Sequence, residues 1–257
     1  MDYIKVNRDT WNKRTALHTQ STFYNLPMFK SGTNSLNPIE LALLADVKNK
    51  SLLHLQCHFG QDTLSWARLG ARVTGVDLSP TAIEYANKLK QSLNIEATFI
   101  ASDVYSFSTI NTHLFDIVYT SYGVLNWLPN LSKWANVIAN SLQKGGEFYL
   151  IEFHSFNELL NGYSYFHDTA PTIEEEGTYT ENCDGTLSKT VTWSHSISDI
   201  INALIQAGLT IESFNEYPFS PYDCFEGLEY VSDKGYQLLH RGHQVPLIFS
   251  IKARKHL

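Results

Sequence analysis

Cysteine is scarce in this chain. Cys57, Cys183 and Cys224 are too few and too far apart for a disulfide framework or a cysteine-rich zinc site. A reduced, intracellular setting is expected, with no metal. Long apolar runs are missing too. None approaches the ~20 residues that span a bilayer. The opening MDYIKVNRDTW lacks the apolar core of a secretory signal. The expectations are a cytoplasmic protein and no membrane partner. Positive charge is short: 19 Lys and Arg stand against 26 Asp and Glu, for a net charge of −7. The basic residues are scattered apart from one RKH run, which disfavours nucleic acid as a partner, since that needs a basic face. Apolar residues, at 43%, are ample for a globular core. Aromatic residues reach 13%, which reads either as a richly packed core or as an aromatic-lined pocket.

Glycine is missing where one motif would want it. The stretch SLLHLQCHFGQDTLSWARLGARVTGVDLSP, residues 51–80, reads as strand, tight turn, helix, strand and acid. Leu52–Leu55 and Val73–Val76 are the strands, and Asp77 lies about twenty residues past the turn. Such a unit suits a nucleoside: the turn leaves N–H groups free at a helix start, and the acid can accept from both ribose hydroxyls. A pyrophosphate loop wants three glycines for close backbone approach, and only Gly60 is present. NAD and FAD are therefore disfavoured, and a cofactor without phosphates remains.

Strands and helices alternate from Ser51 onward, which implies a parallel sheet with helices on both faces. Further strands are expected at Ala97–Ala101, Phe115–Tyr119, Glu147–Phe153, Thr210–Glu216 and Val245–Lys252. Helices are expected at Pro38–Leu44, Asp62–Leu69, Pro80–Leu93 and Leu131–Leu142, with a short one near Phe107. In SHSISDIINALIQAGL, Ile197, Ile200, Ile201, Leu204 and Ile205 recur at helical spacing, and Gly208 is the stop. Only weak helical periodicity shows around Thr10–Leu17. Residues 155–191 break the alternation with Gly turns and β-rich fragments, which read as an antiparallel hairpin or lid.

Five segments in order resemble the motifs of the class I S-adenosylmethionine-dependent methyltransferases, over about Pro38–Phe153. The first motif, acidic-x-Gly-x-Gly-x-Gly, falls on His54, Gln56, His58 and Gly60. The second ends on Asp77 and Leu78. The third is Asp103 in ATFIASDV, and the fourth is FDIVYTSYGVLNWLPN, with Thr120 to Gly123. The fifth is LQKGGEFYLIEF. HLQCHFGQD resembles the first motif of a bacterial subgroup of small-molecule methyltransferases. The resemblance implies an α/β, Rossmann-like methyltransferase fold: a mostly parallel seven-stranded sheet with an antiparallel last strand and helices on both faces. It implies S-adenosyl-L-methionine as cofactor and a single domain over residues 1–257. Residues 1–45 would be a helical cover, 155–191 a lid, and 217–244 a loop insert near the mouth.

In open α/β sheets ligands bind beyond the C-terminal strand ends. The candidate cofactor residues are His54, Gln56, Cys57, Gly60, Asp62, Asp77, Leu78, Asp103, Val104, Thr120 and Ser121. Asp77 would take the ribose hydroxyls or serve only as an acid before the Ser79-Pro80 helix start. Asp103 would accept from the adenine amine, with the Val104 N–H on a ring nitrogen, or be a loop acid. His54 would stand where the family has its acid, near the methionine amino group, or be a satisfied core histidine. Cys57 reads as a small packed residue rather than a nucleophile. Tyr122, His154 and His195 are the catalytic candidates, with Glu152 also considered as a base. The leading expectation is methyl transfer to a small molecule in a closed aromatic pocket above Tyr122 and His154. Trp11, Phe23, Tyr24, Tyr163, Tyr165, Phe166, Trp193, Phe219, Tyr222 and Phe225 are its candidate walls. The alternatives are a non-catalytic binder of S-adenosylmethionine or S-adenosylhomocysteine and, behind it, an NAD-dependent reductase. A homodimer stays open, with some of the late aromatics at its interface.

Overall fold

The computed structural model describes residues 1–223 and 225–256; Cys224 lies outside the described residues. The chain begins with α1 (Tyr3–His18), α2 (Leu26–Lys30) and α3 (Pro38–Leu43). The alternating region runs β1 (Ser51–Leu55), α4 (Gln61–Arg68), β2 (Arg72–Asp77), α5 (Pro80–Leu93), β3 (Thr98–Ala101), α6 (Val104–Ile110) and β4 (Phe115–Ser121). A 3₁₀ turn (Leu125–Trp127), α7 (Leu131–Ser141) and β5 (Leu142–Phe153) follow. Next come α8 (Phe156–Leu160), β6 (Thr172–Glu176), β7 (Ser188–Thr192), α9 (Ile197–Gln206) and β8 (Leu209–Tyr217). The last elements are β9 (Glu229–Val231), β10 (Gly235–Gln237), β11 (Leu239–His240), β12 (His243–Gln244) and β13 (Ile248–Lys255).

The main sheet has the order β3-β2-β1-β4-β5-β13-β8, with β13 antiparallel to both neighbours. This is the Rossmann-like methyltransferase fold. Helices cover both faces. Leu53, Leu55, Val118, Leu150 and Phe249 pack against α6, α7 and α9 in one apolar cluster. Leu52, Ile117, Tyr119 and Ile151 join Trp66 and Leu44 in the cluster on the other face.

Three elements differ from their expected bounds by three residues or more. β5 starts at Leu142 rather than Glu147, because the Gly145-Gly146 turn is absorbed as a bulge: Phe115 pairs with Leu142 and Ile117 with Glu147. β13 begins at Ile248, beyond Pro246, which has no N–H to give the ladder. Helix α1 begins seven residues before the weak periodicity. Its N-cap is Asp2, which accepts from the Lys5 N–H. The buried residues of α1 are Asn7, Thr10, Arg14, Thr15 and His18, all polar. An apolar stripe was therefore never there to be seen.

Those polar side chains dock α1 onto the hairpin β6–β7, which occupies the stretch expected as a lid. The Asn7 amide behaves like one more rung of the sheet: its Nδ2 donates to the Val191 carbonyl (2.8 Å), and its Oδ1 accepts from the Val191 N–H (3.0 Å). The Thr10 hydroxyl donates to the Lys189 carbonyl, and Arg14 Nη2 donates to Glu176 and to the Gly177 carbonyl. Replacing Asn7 by Ala orphans both backbone groups of buried Val191. Urea unfolding should show a loss of roughly 1–3 kcal/mol, with faster amide exchange at Val191; unchanged values would mean that α1 is not held this way.

Candidate active site

A cavity of about 470 Å³ opens over the C-terminal ends of β1 to β5, roofed by α1 and the β6–β7 hairpin. Its floor is the loop between β1 and α4. Gln56, His58 and Gly60 all adopt left-handed backbone conformations, with φ of 58°, 51° and 77°. These are the three positions where the resembling motif has glycine. The backbone path of the glycine loop is thus kept by side chains that strain it by roughly 1–2 kcal/mol each. Each substituted side chain takes a partner in return. Gln56 Nε2 donates to the Val124 carbonyl (2.9 Å), and His58 Nε2 lies 2.8 Å from Nδ1 of His18 on α1. Gly60 has no such latitude: a Cβ there would sit 2.5 Å from the Phe99 ring.

At the nucleoside end, Asp77 closes β2. Its Oδ2 accepts from the His58 N–H (2.7 Å), and its Oδ1 accepts from the Ser79 N–H (2.8 Å). Each oxygen keeps a lone pair for a further donor. Burial pushes this carboxyl up to about 6. Ser79, which caps α5, is itself held by Asn12 of α1. Asp103 caps α6, with Oδ1 accepting from the Tyr105 and Ser106 N–H groups, so Oδ2 stays available. Leu78 and Val104 line the wall between the two acids.

His54, Cys57, Asp62 and Ser121 also line the cavity. His54 Nδ1 lies 2.8 Å from the Thr63 hydroxyl, and burial lowers the ring to about 3, so it is neutral. Burial pushes the Cys57 thiol up, which removes the thiolate a nucleophile would need. Asp62, in the first turn of α4, accepts from the Ser35 hydroxyl (2.6 Å) and is pushed up to about 6 by burial. Thr120 does not line the cavity; its hydroxyl donates to the Leu55 carbonyl across the sheet.

The walls beyond are aromatic. Trp11 stands edge-on to both His58 (5.3 Å) and Trp127 (5.2 Å). Phe23, Tyr24, Trp193, Tyr222 and Phe225 also line the cavity, whereas Tyr163, Tyr165, Phe166 and Phe219 do not. The catalytic candidates separate. His195 lines the cavity, is neutral because burial lowers it to about 4, and donates through Nε2 to the Leu128 carbonyl (2.7 Å). That bond leaves Nδ1 as an acceptor. His154 is outside the lining, contrary to expectation. Its Nδ1 accepts from the Phe156 N–H and its Nε2 meets Glu216 Oε1 at 2.9 Å, so both nitrogens are spent. Glu152, beside it, is engaged by the N–H groups of Gly123, Val124, Leu125 and Phe153. Tyr122 turns its ring toward Tyr222 and Phe153, while its hydroxyl is buried beside Glu40.

Residues 53–150 match the family model described as a methyltransferase domain. Over that stretch the chain is similar to methyltransferase domains. A ubiquinone biosynthesis O-methyltransferase of Vibrio cholerae is 27% identical over 156 residues, covering 58% of this chain and 62% of that protein. Its counterpart in Xanthomonas oryzae pv. oryzae is 28% identical over 120 residues, covering 46% of this chain and 50% of that protein. The chain thus spans less than two thirds of the length of these curated relatives. Among solved structures, a SAM-dependent methyltransferase from Methanosarcina mazei superposes with a TM-score of 0.61, at 18% identity, covering 86% of this chain and 99% of that one. The glycopeptide N-methyltransferase MtfA complexed with sinefungin gives a TM-score of 0.55 at 14% identity, with 84% of each chain covered. At these identities the likeness is one of fold.

The structure brings residues to the cavity region that periodicity could not reveal. Glu40 is fully buried, and burial and then Asp62 push its carboxyl up to about 7. His18 and Arg14 reach the cavity region from α1. Their spacing from Asn7 and Trp11 is helical, but the pattern is polar rather than apolar. Glu40 yields a pH test. Its folded-state pKa lies above the ordinary carboxylate value of 4.5. Its neutral form therefore stabilises the fold below about pH 4.5, and that contribution is lost as pH rises through 7. Glu40→Gln should match wild type near pH 4.5 and exceed it in denaturant stability at pH 8. A difference that does not grow with pH would contradict this.

Proposed function

We propose that this protein transfers a methyl group from S-adenosylmethionine to a small molecule enclosed beneath α1 and the β6–β7 hairpin. One observation carries the reading: a single cavity joins two acids suited to a nucleoside, Asp77 and Asp103, to an aromatic chamber containing a neutral histidine. The residues present fit the cofactor. Asp77 has a free lone pair on each oxygen for the ribose hydroxyls, Asp103 Oδ2 can take the adenine amine, and the Val104 N–H can meet a ring nitrogen. Gly60 leaves the floor low where a Cβ would collide with Phe99. His54, Gln56, Cys57, Leu78 and Ser121 shape the rest of that bed.

Bound S-adenosylmethionine supplies an electrophilic methyl on a sulfonium. The chain's own residues orient and shield. Trp11 and Trp127 close the roof against water, and Tyr222, Phe225 and Phe153 hold the acceptor against the cofactor. For an acceptor that must lose a proton, the neutral His195 offers Nδ1 as the base. Tyr122 packs rather than reacts. Residues 1–45, 155–191 and 217–244 act in this reading as cover, lid and mouth of one domain. The acceptor is a small molecule rather than nucleic acid or membrane, and no helix among the described residues is long and apolar enough to cross a membrane.

Calorimetry with S-adenosylhomocysteine tests the cofactor assignment. Asp77→Ala should lose on the order of 2–3 kcal/mol of binding, and Asp103→Ala less. Unchanged affinity in the first variant, or binding of NAD by wild type, would defeat the reading. A silent binder is distinguished by methyl transfer to acceptors: His195→Gln should lower kcat roughly 100-fold while S-adenosylhomocysteine affinity stays level. Equal turnover with an ionisable acceptor would remove His195 as base.

A further inference from the structure

The first motif of the resembling family opens with an acid, and this chain has His54 there. A neutral, buried imidazole cannot offer a cation the charge of a carboxylate. The missing charge is present nearby, from two elements outside β1. Asp62 enters the cavity from the first turn of α4. Ser35 donates to one of its oxygens, and the other has no hydrogen-bond donor among the described residues. Glu40 arrives from α3, fully buried, with Asn37 donating to one oxygen. The two acids repel each other, and among the described residues no Lys or Arg forms an ion pair with either. The other titratable groups facing them are the Tyr24, Tyr119, Tyr122 and Tyr222 hydroxyls and the Cys57 thiol, all neutral at ordinary pH.

Two buried carboxyls without a cation are costly in the ligand-free protein. The cost is offset once a positively charged ligand group enters. We infer that Asp62, with Glu40 behind it, is the subsite for the α-ammonium of the cofactor's methionine portion, replacing the acid absent from position 54. The assignment rests on S-adenosylmethionine being the cofactor. Asp62 makes the contact because it lines the cavity. Glu40 does not line it and acts through its field and through Tyr122. Ser35 fixes the Asp62 carboxylate so that its open oxygen faces the ligand. A charge-assisted pair at this point anchors the chain that carries the sulfonium. It also makes the protein select nucleosides bearing an aminoalkyl arm.

Two ligands separate this inference from the cofactor reading. S-adenosylhomocysteine carries the ammonium; 5′-methylthioadenosine carries the same nucleoside and thioether without it. In calorimetry, wild type should prefer S-adenosylhomocysteine. Asp62→Asn should weaken that ligand by roughly tenfold to a hundredfold, leave 5′-methylthioadenosine unchanged, and so erase the preference. Unchanged 5′-methylthioadenosine binding also reports that the variant is folded. Glu40→Gln should shift the preference in the same direction by less. An Asp62→Asn protein that keeps the full preference would overturn the inference while leaving the cofactor reading intact. Equal weakening of both ligands would overturn it as well. Failure of wild type to bind either ligand would instead overturn the cofactor reading on which it stands.

Discussion

The Asp77 carboxylate is the joint on which the site turns. It accepts the His58 N–H from the loop after β1 and the Ser79 N–H at the start of α5, so the ends of two parallel strands and the beginning of a helix are set by one group. The loop needs that restraint because two of its three left-handed residues are not glycine. Steric tolerance is small all around: a Cβ on Gly75 in β2 would meet Phe99 at 2.7 Å and Cys57 Sγ at 2.8 Å, as tightly as one on Gly60. The loop can therefore neither rise nor shift sideways. It holds a strained path between a fixed acid and a fixed aromatic ring.

Replacing the glycines changes what the loop does. A glycine loop presents bare backbone. Here His58 reaches up to His18, whose Nε2 in turn meets the Thr178 hydroxyl in the loop joining β6 and β7. Floor, helix α1 and hairpin thus share a polar column beside the cavity. Arg14 reinforces the roof: it bridges α1 to Glu176 while its guanidinium lies near the Trp11 and Trp127 rings. Polar contacts of this kind hold the hairpin in one place without making it permanently sticky. In the proposed function, that suits a cover over a chamber that must admit ligands.

Much of this was legible in the sequence, and the reasons are local. Pro80–Leu93 is legible with its true bounds because Ser79 caps it and apolar residues repeat at helical spacing. β2 and its terminal acid were equally plain, since a short apolar run ending in Asp leaves little choice. The roof was not legible. Asn7, Thr10, Arg14 and His18 bury themselves by hydrogen bonding, so α1 shows almost no amphipathic signature. Glu40 is invisible for a similar reason: an acid in a short helix starting at Asn37-Pro38 looks like a solvated first-turn charge until α3 is packed against β5. His154 looks like a site residue because it directly follows β5 at the strand ends; only the antiparallel pairing of β13 with β5 and β8 brings Glu216 to its ring. The seven-stranded order with β13 inserted came from family resemblance rather than from any local pattern.

That insertion has a consequence for how the chain is made. β8 pairs only with β13 among the described residues, and β13 is the wedge between it and β5. During synthesis β1 through β5 can assemble as they emerge, but β8 has no partner until residues 248–255 have been translated. Until then the edge of β5 lies bare and the apolar face of α9, with Ile200 and Leu204, has only part of its packing surface. Until β13 is made, the nascent chain therefore has an open sheet edge, the state most prone to pairing with a neighbour or engaging a chaperone. Of the strands in this sheet, the last in chain order is the one that joins its two parts.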